Sequence, residues 1–337
     1  MLKTLALVLA AALASPVPTD TPQPDHFNRL APLQFVVSTP QGSGRALYFA
    51  NGSLEGDRNA TMALIIVHGV LRDADYYYDT GMEAIRDEGR SDVLVISPQF
   101  VEAQDIQGHG LPSDTLRWDG KWPGGSPALA PAPIASYAVF DAMIARLSDR
   151  TRFPKMNEIV IAGHSAGGQI VQRYAAVGRA PQLDSGTPVP VHLVIANPSS
   201  YFYFTNDRPV HVSNCPDYNQ WRYGIAGAPP YVTGTAAELE ARYVKRNVTY
   251  LLGTADTNPN EDDLDRTCGG EAQGPFRFAR GKNFIAYVGK RHPSGTAQDF
   301  AFVEGVPHDN RRMFRSACGR AIIFGGNTST CAQYGKV

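Results

Sequence analysis

The stretch Ile159–Gln169, IVIAGHSAGGQ, decides how the rest of the chain is read. Its first half is a continuous, β-branched apolar run, the pattern of a strand buried on both faces. Its second half runs on into QIVQRYAAVGR, which has helical spacing. Between them stands Gly163-His164-Ser165-Ala166-Gly167, the one G-x-S-x-G in the chain. In a chain with 32 glycines the five-residue pattern carries little alone. The strand before it and the helix after it give it weight, because a sharp strand–turn–helix lifts a serine hydroxyl above the sheet edge. The flanking glycines let strand and helix approach closely, and the helix dipole favours negative charge beside the serine.

A serine hydroxyl is a poor nucleophile without a base, and the base needs an orienting acid. On a strand–turn–helix of this kind the order along the chain is serine, then acid, then histidine. LLGTAD ends an apolar run at Asp256, and VEGVPHDN places His308 just after the last apolar run. Of the eight histidines, His308 alone is both late and at a strand's C-terminal end; His164 flanks the serine and is not expected to act as base. The oxyanion of an acyl intermediate needs two donors. Ala166 N–H, just after the serine, is one candidate, and Val70 N–H, in the loop after ALIIVHG, is the other. His68 in that stretch is read as packing under the loop and orienting its backbone.

Working outward, LQFVVST and GRALYFA read as an opening hairpin turning at Pro40–Ser43. Buried strands follow at Ala63–Gly69, Asp92–Pro98, Glu158–Gly163, VHLVIANP and VTYLLG, with a last strand in DFAFVEGV. Helical patterns fall at Asp75–Arg86, Tyr137–Leu147, after Ser165, at Ala236–Lys245 and in part of FRFARGKNFIAYVGK. Strands alternating with helices predict a mostly parallel central sheet with helices on both faces, an α/β architecture. Residues 1–14 read as a signal peptide, 15–32 as a Pro-rich leader and 33–337 as one domain, with 199–235 a small cap after the fourth core strand.

IIVHGV, GHSAGG, LLGTAD and GVPHD, in that order and at those element ends, resemble the α/β-hydrolase superfamily over roughly residues 60 to 320. GHSAGG is similar to the motif of its esterases, lipases and related peptidases. The resemblance implies serine hydrolase chemistry without cofactor or metal, with Ser165 as nucleophile, His308 as base and Asp256 as acid. It names no substrate. A single Gly69 after His68 replaces the HGGG of one esterase group, which implies an oxyanion hole of the simpler kind.

The composition agrees. With 337 residues, 43% hydrophobic, the chain supports a sizeable core, and a net charge of −1 with no basic stripe excludes a nucleic-acid partner. The run from Leu5 to about Ala14, whose last three residues Ala12-Leu13-Ala14 fit a small-x-small cleavage site, fits secretion and is too short to span a membrane. An even count of four cysteines fits two disulfides; of three pairings, Cys318–Cys331 with Cys215–Cys268 is favoured. Sequons stand at Asn51, Asn59, Asn247 and Asn327.

Other features have competing readings. Trp118 and Trp122, in the loop after the second core strand, form an aromatic wall for substrate or pin that loop. Tyr76–Tyr78 are expected to pack a helix, Ser199–Asp207 to line the cap's underside, and Arg311 and Arg312 to be solvated or paired with the acidic loop. That loop carries Asp256, Glu261, Asp262, Asp263 and Asp265. Asp256, Asn258, Asn260 and Asp262 have the spacing of calcium ligands, but Glu261 and Thr267 stand where such a loop needs Gly and Glu. The expectation is that Asp256 turns inward and Glu261–Asp265 outward. The reading is a secreted esterase acting on a small or polymeric ester. A peptidase or amidase on the same three residues and a catalytically silent binding protein are the alternatives.

Overall fold

A computed structural model describes residues 29–184 and 186–337. The signal-peptide reading and most of the leader lie outside the described residues. The last leader residues do not hang free. Ala31 is buried and its N–H donates to the Gln99 side chain at 2.8 Å, so the packed body begins a few residues before 33.

The strands are β1 (Leu33–Thr39), β2 (Gly42–Ala50), β3 (Met62–Val67), β4 (Val93–Gln99), β5 (Glu158–His164), β6 (Val191–Ala196), β7 (Val248–Gly253), β8 (Gln298–Val303) and β9 (Gln333–Lys336). The helices are α1 (Ala74–Asp87), α2 (Ser136–Leu147), α3 (Ala166–Val177), α4 (Ala236–Tyr243), α5 (Cys268–Glu271), α6 (Arg277–Arg291), α7 (Asn310–Arg315) and α8 (Ala317–Phe324). They build one sheet in the order β1-β2-β4-β3-β5-β6-β7-β8-β9. The strands from β4 through β8 run parallel, while β1, β2 and β9 add antiparallel margins.

The expected strands and helices are present. The opening turn is tighter than expected: Thr39 pairs with Gly42, leaving Pro40 and Gln41 as the turn, and Gly42 takes φ 132°, a conformation favoured by glycine. The last strand is β9, not the DFAFVEGV run. QYGK has no apolar alternation to mark it and is a strand only because it pairs with β8.

Central strands are buried on both faces, as continuous apolar runs require. Ala63, Ile65 and Val67 join one core with α2, α3 and α4; Leu64 and Ile66 join the other with α1, α7 and α8. Each such side chain contributes about 1.5–3 kcal/mol on burial. The cap reading changes at its start. Tyr201, Phe202 and Tyr203 are buried in the main core, Tyr201 stacking on Phe284 of α6 at 4.7 Å. Residues 205–220 beyond them are exposed or half-buried, Tyr223 and Tyr231 return to buried positions, and the Cys215–Cys268 disulfide ties the segment to α5. The second disulfide is Cys318–Cys331, so the favoured pairing is the observed one. Among the described residues no helix is long and apolar enough to cross a membrane.

Candidate active site

Ser165 sits between β5 and α3 with φ 59° and ψ −122°. A serine held there costs on the order of 1–3 kcal/mol, so its surroundings must enforce it. They do so with backbone. Ser165 N donates to Ala196 O at 3.1 Å, and Gln169 N to Ser165 O at 3.0 Å. A Cβ on Gly163 would stand 2.2 Å from Gly167 O, and one on Gly167 would stand 2.2 Å from Val67 O. Both glycines are there because β3, β5 and α3 meet without room for a side chain.

Asp256 follows β7 and His308 follows β8, so the parallel sheet brings three distant chain positions to one edge. His308 Nδ1 lies 2.8 Å from Asp256 Oδ2. The His308 ring lies 4.4 Å from that of His164, the neighbour of Ser165. Asp256 has a side chain 1% exposed. Burial raises its carboxyl to about 6, against the pull of Arg277 and the Asn197 amide. Burial, then Arg277, lowers His308 well below its ordinary value. Above about pH 6 the pair is therefore an ionised carboxylate beside a neutral imidazole.

The turn after β3 is a backbone clamp. Arg72 N donates to Gly69 O at 3.2 Å, and His68 Nδ1 lies 2.8 Å from the same oxygen. Phe100 N donates to His68 Nε2 at 3.0 Å. His68 is fully buried and burial lowers it to about 4, so it is the neutral Nδ1–H tautomer. The Gly69–Val70 peptide is planar and trans, so pinning Gly69 O toward His68 turns Val70 N–H the opposite way. A Cβ on Gly69 would lie 3.8 Å from Ser165 Cβ, which places this turn against the serine. Ala166, the other expected donor, is the first residue of α3.

Trp118 and Trp122 are each 1% exposed and form no open aromatic wall. Trp118 Nε1 donates to Ile134 O, and Trp122 stacks on Phe100 at 5.0 Å with its edge 4.7 Å from His68. They pin the long loop and pack the histidine that holds the turn. Tyr77 packs α1, as expected, and its hydroxyl also reaches His164 Nδ1 at 3.3 Å.

The acidic loop divides differently from expectation. Asp262 and Asp263 are exposed, but Glu261 and Asp265 turn inward. Asp265 takes Arg222 at 3.1 Å, the Tyr223 hydroxyl at 2.7 Å and Thr267, whose hydroxyl also meets Tyr223. Glu261 pairs with Arg277, a fully buried residue whose Nη1 is also 3.8 Å from Asp256 Oδ1. Ligand-capable atoms of Asp256, Glu261 and His308 lie within 4.8 Å of one another, but both carboxylates already share this guanidinium. The calcium spacing does not converge: Asp256 faces His308, while Asn258 closes a local turn on Asn260 N. Arg311 and Arg312 do not meet this loop; Arg311 pairs with Glu83 of α1 and Arg312 reaches Gly305 O. Arg277 was not anticipated. Nothing local in GPFRFAR distinguishes it from a solvated helix arginine.

The strand order and the mostly parallel nine-stranded sheet with its helices are those of the α/β-hydrolase fold. No protein-family model matches the chain, and no curated protein sequence matches it significantly. Solved structures do. Poly(aspartic acid) hydrolase-1 from Sphingomonas sp. KT-1 is 25% identical with a TM-score of 0.60, over 86% of this chain and 97% of that one. LpqC, a poly(3-hydroxybutyrate) depolymerase from Bordetella parapertussis, is 20% identical with a TM-score of 0.60, over 86% of each chain.

Proposed function

We propose that the chain is a secreted serine hydrolase that cleaves carboxylic ester bonds through an acyl-enzyme intermediate. The observation that carries this reading is His308 Nδ1 at 2.8 Å from buried Asp256, beside a serine on a strained strand–helix turn. Neutral His308 takes the Ser165 proton at Nε2 as Oγ attacks the ester carbonyl. Asp256 holds the tautomer that leaves Nε2 free and stabilises the imidazolium that forms. Ala166 and Val70 N–H receive the developing oxyanion; one such donor is worth about 3–4 kcal/mol in the transition state. The alcohol leaves with the proton from His308, and water repeats the cycle on the acyl-serine. No cofactor, metal or nucleic acid enters the scheme. Two disulfides and the apolar N-terminal run support an extracellular setting.

Both similar structures are named for hydrolases of polymers, so a polymeric ester belongs beside small esters as a substrate class. The likeness to a poly(aspartic acid) hydrolase favours a second reading, amide hydrolysis by the same residues. Ser165→Ala should abolish turnover of short p-nitrophenyl esters and block labelling by a fluorophosphonate. Retained activity, or a wild type that the fluorophosphonate never labels, would sink the assignment. A panel of matched esters and amides, with a polyester and poly(aspartic acid) included, separates the two readings.

A further inference from the structure

Arg277 is the first residue of α6 and has no exposed surface. A guanidinium is charged at every relevant pH, so burying it needs compensation. Its Nη1 faces Asp256 and Glu261, whereas its Nε and Nη2 have no hydrogen-bond partner among the described residues. The residue is thus anchored through one nitrogen to two acids, one of them the partner of His308. The backbone makes the same junction, Phe278 N donating to Asp256 O at 3.1 Å. Glu261 is the outer member, with a side chain one-third exposed.

We propose that Arg277 and Glu261 are a pair of positioning residues that set the charge on the His308–Asp256 couple, Arg277 holding Asp256 ionised and Glu261 limiting how far Arg277 suppresses the basicity of His308. The inference rests on the Ser165–His308–Asp256 reading. A carboxylate as buried as Asp256, with a second acid beside it, tends to take up a proton and so release the histidine tautomer. A cation at 3.8 Å opposes that. The same cation disfavours imidazolium, and the Glu261 carboxylate, with an oxygen within 4.8 Å of a His308 ring nitrogen, offsets this. Other groups facing the cluster are His164 from β5, Asn197 and Tyr201 after β6, Asp263 from the loop and Arg280 from α6. Asp309 is turned away, capping Arg312 N. Neither His164 nor Tyr201 is charged near neutrality: burial lowers the first and raises the second.

The two residues should act in opposite directions, which a merely structural role would not do. Removing the cation raises both Asp256 and His308, so the acid limb of the kcat/KM profile moves to higher pH; removing the Glu261 charge moves it lower. The experiment is the pH profile of p-nitrophenyl ester hydrolysis for wild type, Arg277→Gln, Arg277→Lys and Glu261→Gln, with thermal unfolding of each. Arg277→Gln should move the limb up by about one unit and Arg277→Lys restore most of it, while Glu261→Gln moves it down by about half a unit. Unmoved limbs, or two shifts of the same sign, overturn the proposal. If Arg277→Gln does not fold, Glu261→Gln decides: a downward shift supports it and no shift overturns it. Ser165→Ala, run alongside, separates the two failures. If it stays active the nucleophile assignment falls; if it is dead while the limbs stay put, only the Arg277–Glu261 inference falls.

Discussion

Two stretches meet at this site and are held there by opposite means. The turn around Ser165 is fixed by backbone against backbone, with glycines where any Cβ would collide. The loop from Asp256 to Thr267 is fixed by side-chain charge, its acids sorted by which cation each can reach. A steric clamp is local and nearly all-or-none; a charge network is distributed and graded. Damage to the first should therefore remove the fold, and damage to the second should tune the chemistry.

The severest break is Gly167→Ala. Its methyl would stand 2.2 Å from Val67 O, so we expect a loss on the order of 3 kcal/mol or more, read as a large drop in Tm and loss of fluorophosphonate labelling. Normal melting and labelling would mean that the turn is looser than drawn. Next comes Asp256→Asn, which keeps the volume and removes the charge. It should cost about 10³–10⁴ in kcat while Tm changes little. A collapse of Tm without a specific loss of kcat would place Asp256 in the scaffold rather than the chemistry.

A milder perturbation is pH. Burial raises Asp256 to about 6, so acid takes away the charge that supports His308. The prediction is that kcat/KM stays level from neutrality down to about pH 6 and then falls roughly tenfold per unit. The limb belongs to the coupled pair rather than to either residue. Activity that holds down to pH 4 would contradict it. The smallest effect should be Asp262→Asn at the exposed side of the loop, with Tm within about 0.5 kcal/mol equivalent and kcat unchanged. A large rate loss there would reverse the division of the loop.

What could be read beforehand follows the same line. The strand–turn–helix at Ser165, the central strands and the placing of Asp256 and His308 at strand ends were legible because each depends on a few neighbouring residues and on backbone periodicity. Four-residue β9 was not, because only pairing with β8 makes it a strand. The tryptophans were open between two readings, since aromatic character does not say which way a ring points; the structure turns them inward against Phe100 and His68.

By itself, then, the chain's sequence determined an alternating α/β framework, a strand–serine–helix turn and the candidate acid and base beside it. These follow from period, chirality and steric size, which act over a few residues. Only the tertiary structure decided which acids of the loop turn inward, and that Arg277 stands between Asp256 and Glu261. That choice depends on α6 packing against the end of β7, and the balance of desolvation against charge pairing exists only once both are in place.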